Sequence, residues 1–113
     1  MVREAELDAV FGALSDPIRR HILERLGYGA LTAGQISAGF AVSQPAISKH
    51  LKVLERSGLV KRTVVGRQHH LRLSARAMRG AADWLEKYER FWNQSLDRLE
   101  DYLTQSSDQR TSQ

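Results

Sequence analysis

The most concentrated chemistry in this sequence is a run of positive charge between Ser43 and Arg76. Eight residues of this segment are basic and one, Glu55, is acidic, so its net charge is +7 while the rest of the chain carries −3. The basic residues are Lys49, Lys52, Arg56, Lys61, Arg62, Arg67, Arg72 and Arg76. Clustered Lys and Arg side chains bind phosphate groups, so this segment predicts a nucleic-acid partner.

Two short polar side chains, Gln44 and Ser48, stand near the beginning of the basic segment. A glutamine can pair with adenine through two hydrogen bonds, and a serine hydroxyl can bond to bases or to phosphate. We therefore predict that Gln44 and Ser48 contact bases, and that Arg67 enters a narrowed minor groove or contacts a phosphate. Phosphate contacts, which position a protein without choosing a sequence, are predicted for Lys49, Lys52, Arg56, Lys61 and Arg62.

Apolar spacing predicts two helices ahead of this segment. The first has one apolar face, formed by Leu7, Val10, Phe11 and Leu14. Asp16 and Pro17 are a favoured N-cap and first-turn pair, so they predict the start of a second helix, which ends at Gly27.

Capping residues predict two further helices inside and beside the basic segment. Thr32 and Gln35 fit a capping box that opens a short third helix. Ser43 caps a fourth helix that ends at Gly58, and its apolar face is formed by Ile47, Leu51 and Leu54. Two helices joined by a tight turn, the second with a basic outer face, are typical of a helix-turn-helix.

Two short strand-like runs follow the fourth helix. They cover residues 59–63 and 68–73, and Val65, Gly66 and Arg67 supply the turn between them. This hairpin would be a wing with Arg67 at its tip. The predicted fold class is therefore mainly α with a small β-hairpin wing, a winged helix-turn-helix.

The last part of the chain predicts one long helix with an apolar stripe. The stripe residues recur with a mean spacing of 3.6 and are Leu85, Tyr88, Trp92, Leu96, Leu99 and Leu103, widened by Trp84, Phe91 and Tyr102. Gly80 suggests a bend or the helix start. A symmetric dimer would cover this stripe; the alternatives are packing on its own domain and, less simply, an aromatic ligand site.

Composition places the chain among single-domain proteins of a reducing compartment. Its 113 residues predict one domain over 1–104 and a flexible polar tail over 105–113. Cysteine is absent, which excludes disulfides and thiolate metal sites. The sequence shows no secretory signal and no apolar run long enough for a bilayer, so we expect a cytoplasmic protein that does not use a membrane.

The candidates for other site chemistry are weak. His69 and His70 are adjacent, so on a strand they point to opposite faces, and a zinc site built from these with His21 and His50 is disfavoured. His50 would contact DNA or its own domain. The available Ser, His and Asp residues have simpler capping or contact roles than a catalytic triad, so we expect neither an enzyme nor a cofactor.

Several stretches together resemble the ArsR family of bacterial repressors. These are residues 11–23 (FGALSDPIRRHIL), residues 43–54 (SQPAISKHLKVL) and the wing from Gly58 to Gln68, and the likeness covers roughly residues 5–103. The resemblance implies a homodimer whose recognition helices enter successive major grooves of a palindromic operator. The DNA-reading positions it implies, together with Lys52 from the charge pattern, are Ser43, Gln44, Ala46, Ser48, Lys49, His50, Lys52, Arg67 and Gln68.

The same resemblance implies that the first and last helices form the dimer interface. The residues predicted there are Leu7, Val10, Phe11, Trp84, Tyr88, Phe91, Trp92, Leu96 and Leu99. Arsenical sensors of this family carry Cys-x-Cys where this chain has residues 33–37 (AGQIS), and the zinc sensors' Asp-x-His is here Asp83-Trp84-Leu85. We therefore expect the branch that senses no metal, with an effector still to be identified.

The sequence thus predicts a dimeric repressor that binds a double-stranded DNA operator and excludes polymerase. The alternative is a winged-helix module that binds another protein through its aromatic helix and does not bind DNA. A small hydrolase is a third class, and no residue pattern favours it.

Overall fold

A computed structural model of the chain describes residues 4–111, with side chains through residue 106. Within these residues the elements are, in chain order, α1 (Glu4–Leu14), α2 (Pro17–Leu26), β1 (Leu31–Thr32), α3 (Ala33–Ala38), α4 (Gln44–Arg56), β2 (Val60–Val65), β3 (Gln68–Leu73) and α5 (Ala75–Thr111). Helices α3 and α4 with the β2–β3 hairpin form the predicted winged helix-turn-helix, so the fold class is confirmed.

Contacts divide the chain into two compact units, Met1–Ala81 and Ala82–Gln113. The boundary lies inside α5, and the single domain over 1–104 stays a prediction. Helix α5 runs through Gly80 without interruption and continues to Thr111. The flexible tail over 105–113 stays a prediction, and residues 112–113 lie outside the described part of the chain.

Side-chain oxygen atoms fix the starts of the helices in the first unit. Asp16 accepts hydrogen bonds from the backbone N–H groups of Ile18 (2.8 Å) and Arg19 (3.1 Å). Thr32 and Gln35 form both halves of a capping box, at 3.1 and 2.9 Å. All three caps predicted from the sequence are confirmed, since Ser43 also accepts from the first turn of α4.

The sheet is antiparallel, with the strand order β1-β3-β2. Strand β1 has only two residues, pairs Leu31 with Leu71, and was not predicted. Strands β2 and β3 pair from Val60 opposite Leu73 to Val65 opposite Gln68, which leaves a two-residue loop. Gly66 in this loop has φ 62°, a left-handed conformation that type II′ and I′ hairpin turns require and glycine adopts without strain.

The hydrophobic core of the first unit lies where α1, α2, α3, α4 and the sheet meet. Its buried residues include Ile22, Ile36, Ile47, Leu51, Leu54, Leu59, Val60 and Leu71. Leu71 is buried and Leu73 is half-buried, whereas Arg72 between them is exposed, as the alternation in β3 predicted. This core is the support on which α4 and the hairpin are mounted.

Candidate nucleic-acid interface

Helix α4 has two faces of opposite character. Its apolar stripe is almost fully buried, because Ile47, Leu51 and Leu54 are at most 2% exposed. The side chains on its outer face, by contrast, are exposed, and they are Gln44, Ser48, Lys49, Lys52 and Arg56. A helix held by one face and free along the other can enter a DNA groove without any rearrangement of the core.

The N-terminus of α4 is shaped to present Gln44 and Ser48. Ser43 has extended backbone angles, and its hydroxyl accepts a hydrogen bond from Ala46 N at 3.3 Å. Pro45 occupies the first turn, where its missing N–H costs no helical hydrogen bond. Gln44 and Ser48 are therefore exposed at the end of the helix where backbone donors and the positive end of the helix dipole favour phosphate.

The turn between α3 and α4 is fixed by Arg25 of α2. Its guanidinium donates hydrogen bonds to the carbonyl oxygens of Ile36 (3.1 Å) and Gln35 (3.2 Å). The same group lies 5.9 Å from the centre of the Phe40 ring, and the His21 ring meets Phe40 edge-on at 5.3 Å. A side chain at Gly39 would require the guanidinium of Arg25 to move. These contacts set the direction in which α4 leaves the turn.

The hairpin presents its tip to solvent. Arg67 and Gln68 are exposed, and so are the apolar side chains of Val64 (55%) and Val65 (62%). The arrangement agrees with the predicted wing, although β2 extends to Val65 rather than ending at Thr63. The predicted DNA residues of the wing and of α4 therefore belong to one compact unit.

Arg62 makes a different contact from the one the sequence suggested. Its Nε and Nη2 atoms donate to the two carboxylate oxygens of Glu55 at 2.7 and 3.0 Å, and Nη1 lies 3.0 Å from His69 Nδ1. The hydrogen bond that Arg62 donates to Glu55 raises the pKa of Arg62. The only acidic residue of the basic segment thus engages this guanidinium, which is joined to α4 rather than free for a phosphate.

His50 faces its own domain. Its Nδ1 lies 3.3 Å from Arg19 Nη1 and 3.8 Å from Asp16 Oδ1. Arg19 also donates to the carbonyl oxygens of Ala13 (2.7 Å) and Gly12 (3.2 Å), which links α1, α2 and α4. Of the two roles predicted for His50, these contacts favour the structural one. Ala46 is half-buried, so it offers DNA little more than a methyl group.

Within the second unit, the apolar stripe of α5 is exposed to solvent. Trp84, Tyr88, Trp92 and Leu99 are between 40% and 53% exposed, and Phe91 is 57% exposed. The Trp84 and Tyr88 rings stack at 5.1 Å, and Tyr88 meets Trp92 edge-on at 5.9 Å. Contacts between neighbouring turns therefore cover only part of the aromatic surface.

The predicted interface residues of α1 are less open than those of α5. Leu7 and Phe11 are half-buried. Val10 is 3% exposed and belongs to the core of its own chain, so it offers a partner little surface, and its contact with a partner stays a prediction. The helical spacing put Val10 on the apolar face of α1, but could not separate the part of that face that packs inward.

No three His, Asp or Glu residues in the described part of the chain are placed to hold a metal ion. Among the same residues, no helix combines the length and apolar character needed to cross a bilayer.

Comparison with known proteins gives consistent matches. A family model described as a helix-turn-helix domain matches residues 14–63. The chain is 37% identical to the HTH-type transcriptional regulator Rv2034 of Mycobacterium tuberculosis over 79% of its own length and 80% of the relative. It is 34% identical to the transcriptional repressor SdpR of Bacillus subtilis, over 70% of this chain and 88% of SdpR.

Solved structures share the fold. An ArsR-like transcriptional regulator from Rhodococcus sp. RHA1 superposes with a TM-score of 0.73 at 36% identity, covering 86% of this chain and 92% of that one. A homodimeric winged helix-turn-helix DNA-binding domain from Mycobacterium bovis has a TM-score of 0.60 at 21% identity, covering 83% and 84% of the two chains. The second likeness extends to the fold alone.

Proposed function

This chain belongs to the ArsR family of helix-turn-helix transcriptional regulators, and from that premise we propose that it is a homodimeric repressor of a palindromic operator. The observation that carries the proposal is the exposed outer face of α4 on a fully buried apolar stripe. If the basic face of α4 were merely solvated, the helix would not require the capped and anchored turn that precedes it.

The contacts with DNA divide by chemistry. Gln44 and Ser48 read base edges in the major groove, while Lys49, Lys52 and Arg56 neutralise phosphates. Arg67 and Gln68 reach the backbone or the minor groove from the wing. Ser43 acts through its cap, which orients the first turn of α4.

Dimerisation supplies the second recognition helix. The exposed stripe of α5, from Trp84 to Tyr102, is the surface that a second copy would cover. In the dimer the two α4 helices lie about 34 Å apart, so the operator consists of two half-sites separated by one duplex turn.

Repression follows from position on the DNA, because a dimer that covers a promoter excludes polymerase in the cytoplasm, where bacterial transcription takes place. The residues that replace the family's metal ligands, Ala33 to Ser37 and Asp83 to Leu85, carry no thiol or imidazole. Neither of these two segments therefore offers the ligands of the family's metal sites.

The test is fluorescence anisotropy on the promoter fragment upstream of the gene and on a shuffled duplex, across a salt series. We expect the promoter to bind at least about a thousandfold more tightly than the shuffled duplex. Lys49→Gln and Lys52→Gln should each reduce the log–log salt slope by about 1.8, because the dimer loses two phosphate contacts and each contributes about 0.9. Lys87→Gln, which removes the same charge from α5, should leave the slope unchanged.

A protein-interaction module without DNA binding is the competing function, and the exposed stripe of α5 is the observation in its favour. Equal, weak affinity for both duplexes, with no effect of Lys49→Gln or Lys52→Gln, would reject the repressor and favour this module.

A further inference from the structure

The first unit contains a pocket of about 400 Å³ that the nucleic-acid interface does not use. Its walls come from α1, the C-terminal end of α4, the start of β2 and the first two turns of α5. All of its lining residues belong to the described part of the first unit. Pockets that hold small organic molecules are typically about 300–1,000 Å³, so this one suits a compact ligand.

Positive charge dominates the polar part of the pocket. Arg56, Lys61 and Arg76 line it, against one acidic residue, Glu6. Among the described residues the close cation–carboxylate contacts are Arg62 with Glu55 and, at 3.8 Å, His50 with Asp16, so none of the three pocket cations has a carboxylate partner. Arg62 shows how a cation in this segment is neutralised when an acid is available. The pocket thus carries an excess of two positive charges that its own side chains do not balance.

The remainder of the lining is largely apolar. Leu7 and Val10 of α1 face the pocket together with Ala77 and Ala81 of α5. Alanine at both α5 positions matters, because these small side chains leave the space that a larger residue would fill. An apolar wall beside unbalanced cations is complementary to a molecule that has a hydrocarbon body and one anionic group.

We propose that this pocket binds a small organic carboxylate, with its anionic group beside Arg56, Lys61 and Arg76 and its hydrocarbon against Leu7, Val10 and Ala81. The bound carboxylate supplies the negative charge that the side chains lack. Its hydrocarbon removes apolar surface of α1 and α5 from water.

Binding in this pocket has a consequence for DNA, and this step rests on the proposed function. Arg56 and Lys61 line the pocket and also belong to the residues predicted to contact phosphate. A cation that is paired with a carboxylate contributes less to a phosphate contact, so the ligand and DNA oppose each other. The pocket would therefore be the place where a metabolite releases the operator.

The direct test is isothermal titration calorimetry of the full chain with octanoate and benzoate, without DNA. Acetate and inorganic phosphate supply charge without a hydrocarbon body, and octan-1-ol supplies the body without charge. We expect at least one of the two larger carboxylates to bind at least about tenfold more tightly than all three comparison compounds, because only such a carboxylate satisfies both parts of the pocket.

Variants locate the binding. Arg76→Gln should weaken carboxylate binding by about tenfold or more, since it removes one charged partner. Ala77→Leu should do the same by filling space. Arg72→Gln is the matched control, because it removes the same charge from an exposed position of β3 that does not line the pocket. Circular dichroism verifies that each variant is folded, and Arg76→Gln, at an exposed position, keeps the test valid should Ala77→Leu fail to fold.

Each outcome decides the matter. The proposal is wrong if neither octanoate nor benzoate binds, if phosphate binds equally well, or if Arg72→Gln weakens binding as much as Arg76→Gln. It is also wrong if the affinity for the carboxylate falls as the protein concentration rises, because a partner chain would then occupy the pocket. If the protein binds the carboxylate but does not bind the promoter, the proposed repressor function is wrong and the proposed carboxylate site is retained.

Discussion

Helix α4 and the part of α5 beyond residue 82 have the same kind of sequence and opposite surroundings. Both carry large apolar residues at helical spacing. In α4 these side chains are at most 2% exposed, whereas Trp84, Tyr88 and Trp92 of α5 are 40–46% exposed and Leu99 is 53% exposed. The stripe of α4 is covered by α1, α2, α3 and the sheet, while the second unit has no other described element to cover the stripe of α5.

An apolar stripe on a helix specifies that the helix makes a contact, but not which chain provides the other side of that contact. In α4 the contact is internal, so the helix can offer its other face to DNA. In α5 the contact is left to another molecule, and the proposed dimer provides it. A substitution in either stripe should therefore have a different readout: assembly for α5 and folding for α4.

The largest expected effect is the loss of the dimer in Trp92→Glu. Burying one large aromatic side chain contributes about 2 kcal/mol, and a two-fold interface loses it twice, so the dimer should weaken on the order of a thousandfold. Sedimentation velocity measures this loss. Gln94→Glu places the same residue on the opposite side of α5 and should remain dimeric, and a Trp92→Glu protein that is still dimeric would remove α5 from the interface.

In α4 the corresponding change is Leu54→Ala. Leu54 is 0% exposed, so the variant should lose about 3 kcal/mol of unfolding free energy through lost burial and the cavity left behind. Urea denaturation gives the value. Lys52→Ala, two residues earlier on the exposed face, should change stability by less than about 0.5 kcal/mol. Equal losses in the two variants would contradict the assignment of the two faces of α4.

The sequence was sufficient where structure is local. Asp16, Thr32 and Ser43 cap helices through atoms two or three residues away, so their roles could be predicted without a fold. Strand β1 could not be predicted, because its two residues form a strand only by pairing with Leu71 and His70, which are distant in the sequence. Gly80 lies inside a long helix, where neighbouring residues outweigh its low propensity.

The site was predictable to the same extent. Exposure of Gln44, Ser48, Lys49 and Lys52 follows from the position of the apolar stripe in α4. The partner of Arg62 does not follow, because Glu55 reaches it only after the hairpin folds back beside α4. The pocket is equally invisible in the sequence, since its lining comes from four separate elements.

A smaller effect should follow from Asp16, which caps α2 next to His50 of α4. Burial raises the pKa of Asp16, but hydrogen bonds from Arg19 and Ile18 and the charges of His50 and Arg19 lower it more, so the net shift is downward. A carboxyl whose folded pKa is lowered stabilises the protein above its ordinary pKa of 3.8 and loses this contribution as the pH falls through the folded value.

Asp16→Ala should therefore cost about 1 kcal/mol at neutral pH through the lost cap. Asp16→Asn keeps an oxygen acceptor for the cap, so it should cost less than Asp16→Ala, and it removes the titration. Urea denaturation at neutral pH and at about pH 3 should show that the difference between wild type and Asp16→Asn shrinks in acid. A difference that stays constant would mean that the charge of Asp16 does not stabilise the fold.

The smallest expected effect concerns Arg62. It distinguishes basic side chains that bind DNA phosphates from a basic side chain that is paired with a carboxylate of its own chain. Arg62→Gln removes a guanidinium that Glu55 already engages with two hydrogen bonds, so the salt slope of operator binding should change by much less than the value of about 1.8 expected for Lys52→Gln. Glu55→Gln should act in the opposite direction, because it frees Arg62 of both protomers for a phosphate and steepens the slope by up to about the same 1.8. Salt-dependent anisotropy on the promoter fragment compares the three variants. A slope in Arg62→Gln that falls as far as in Lys52→Gln would show that this arginine leaves Glu55 when DNA binds, and that the basic surface extends from α4 onto β2.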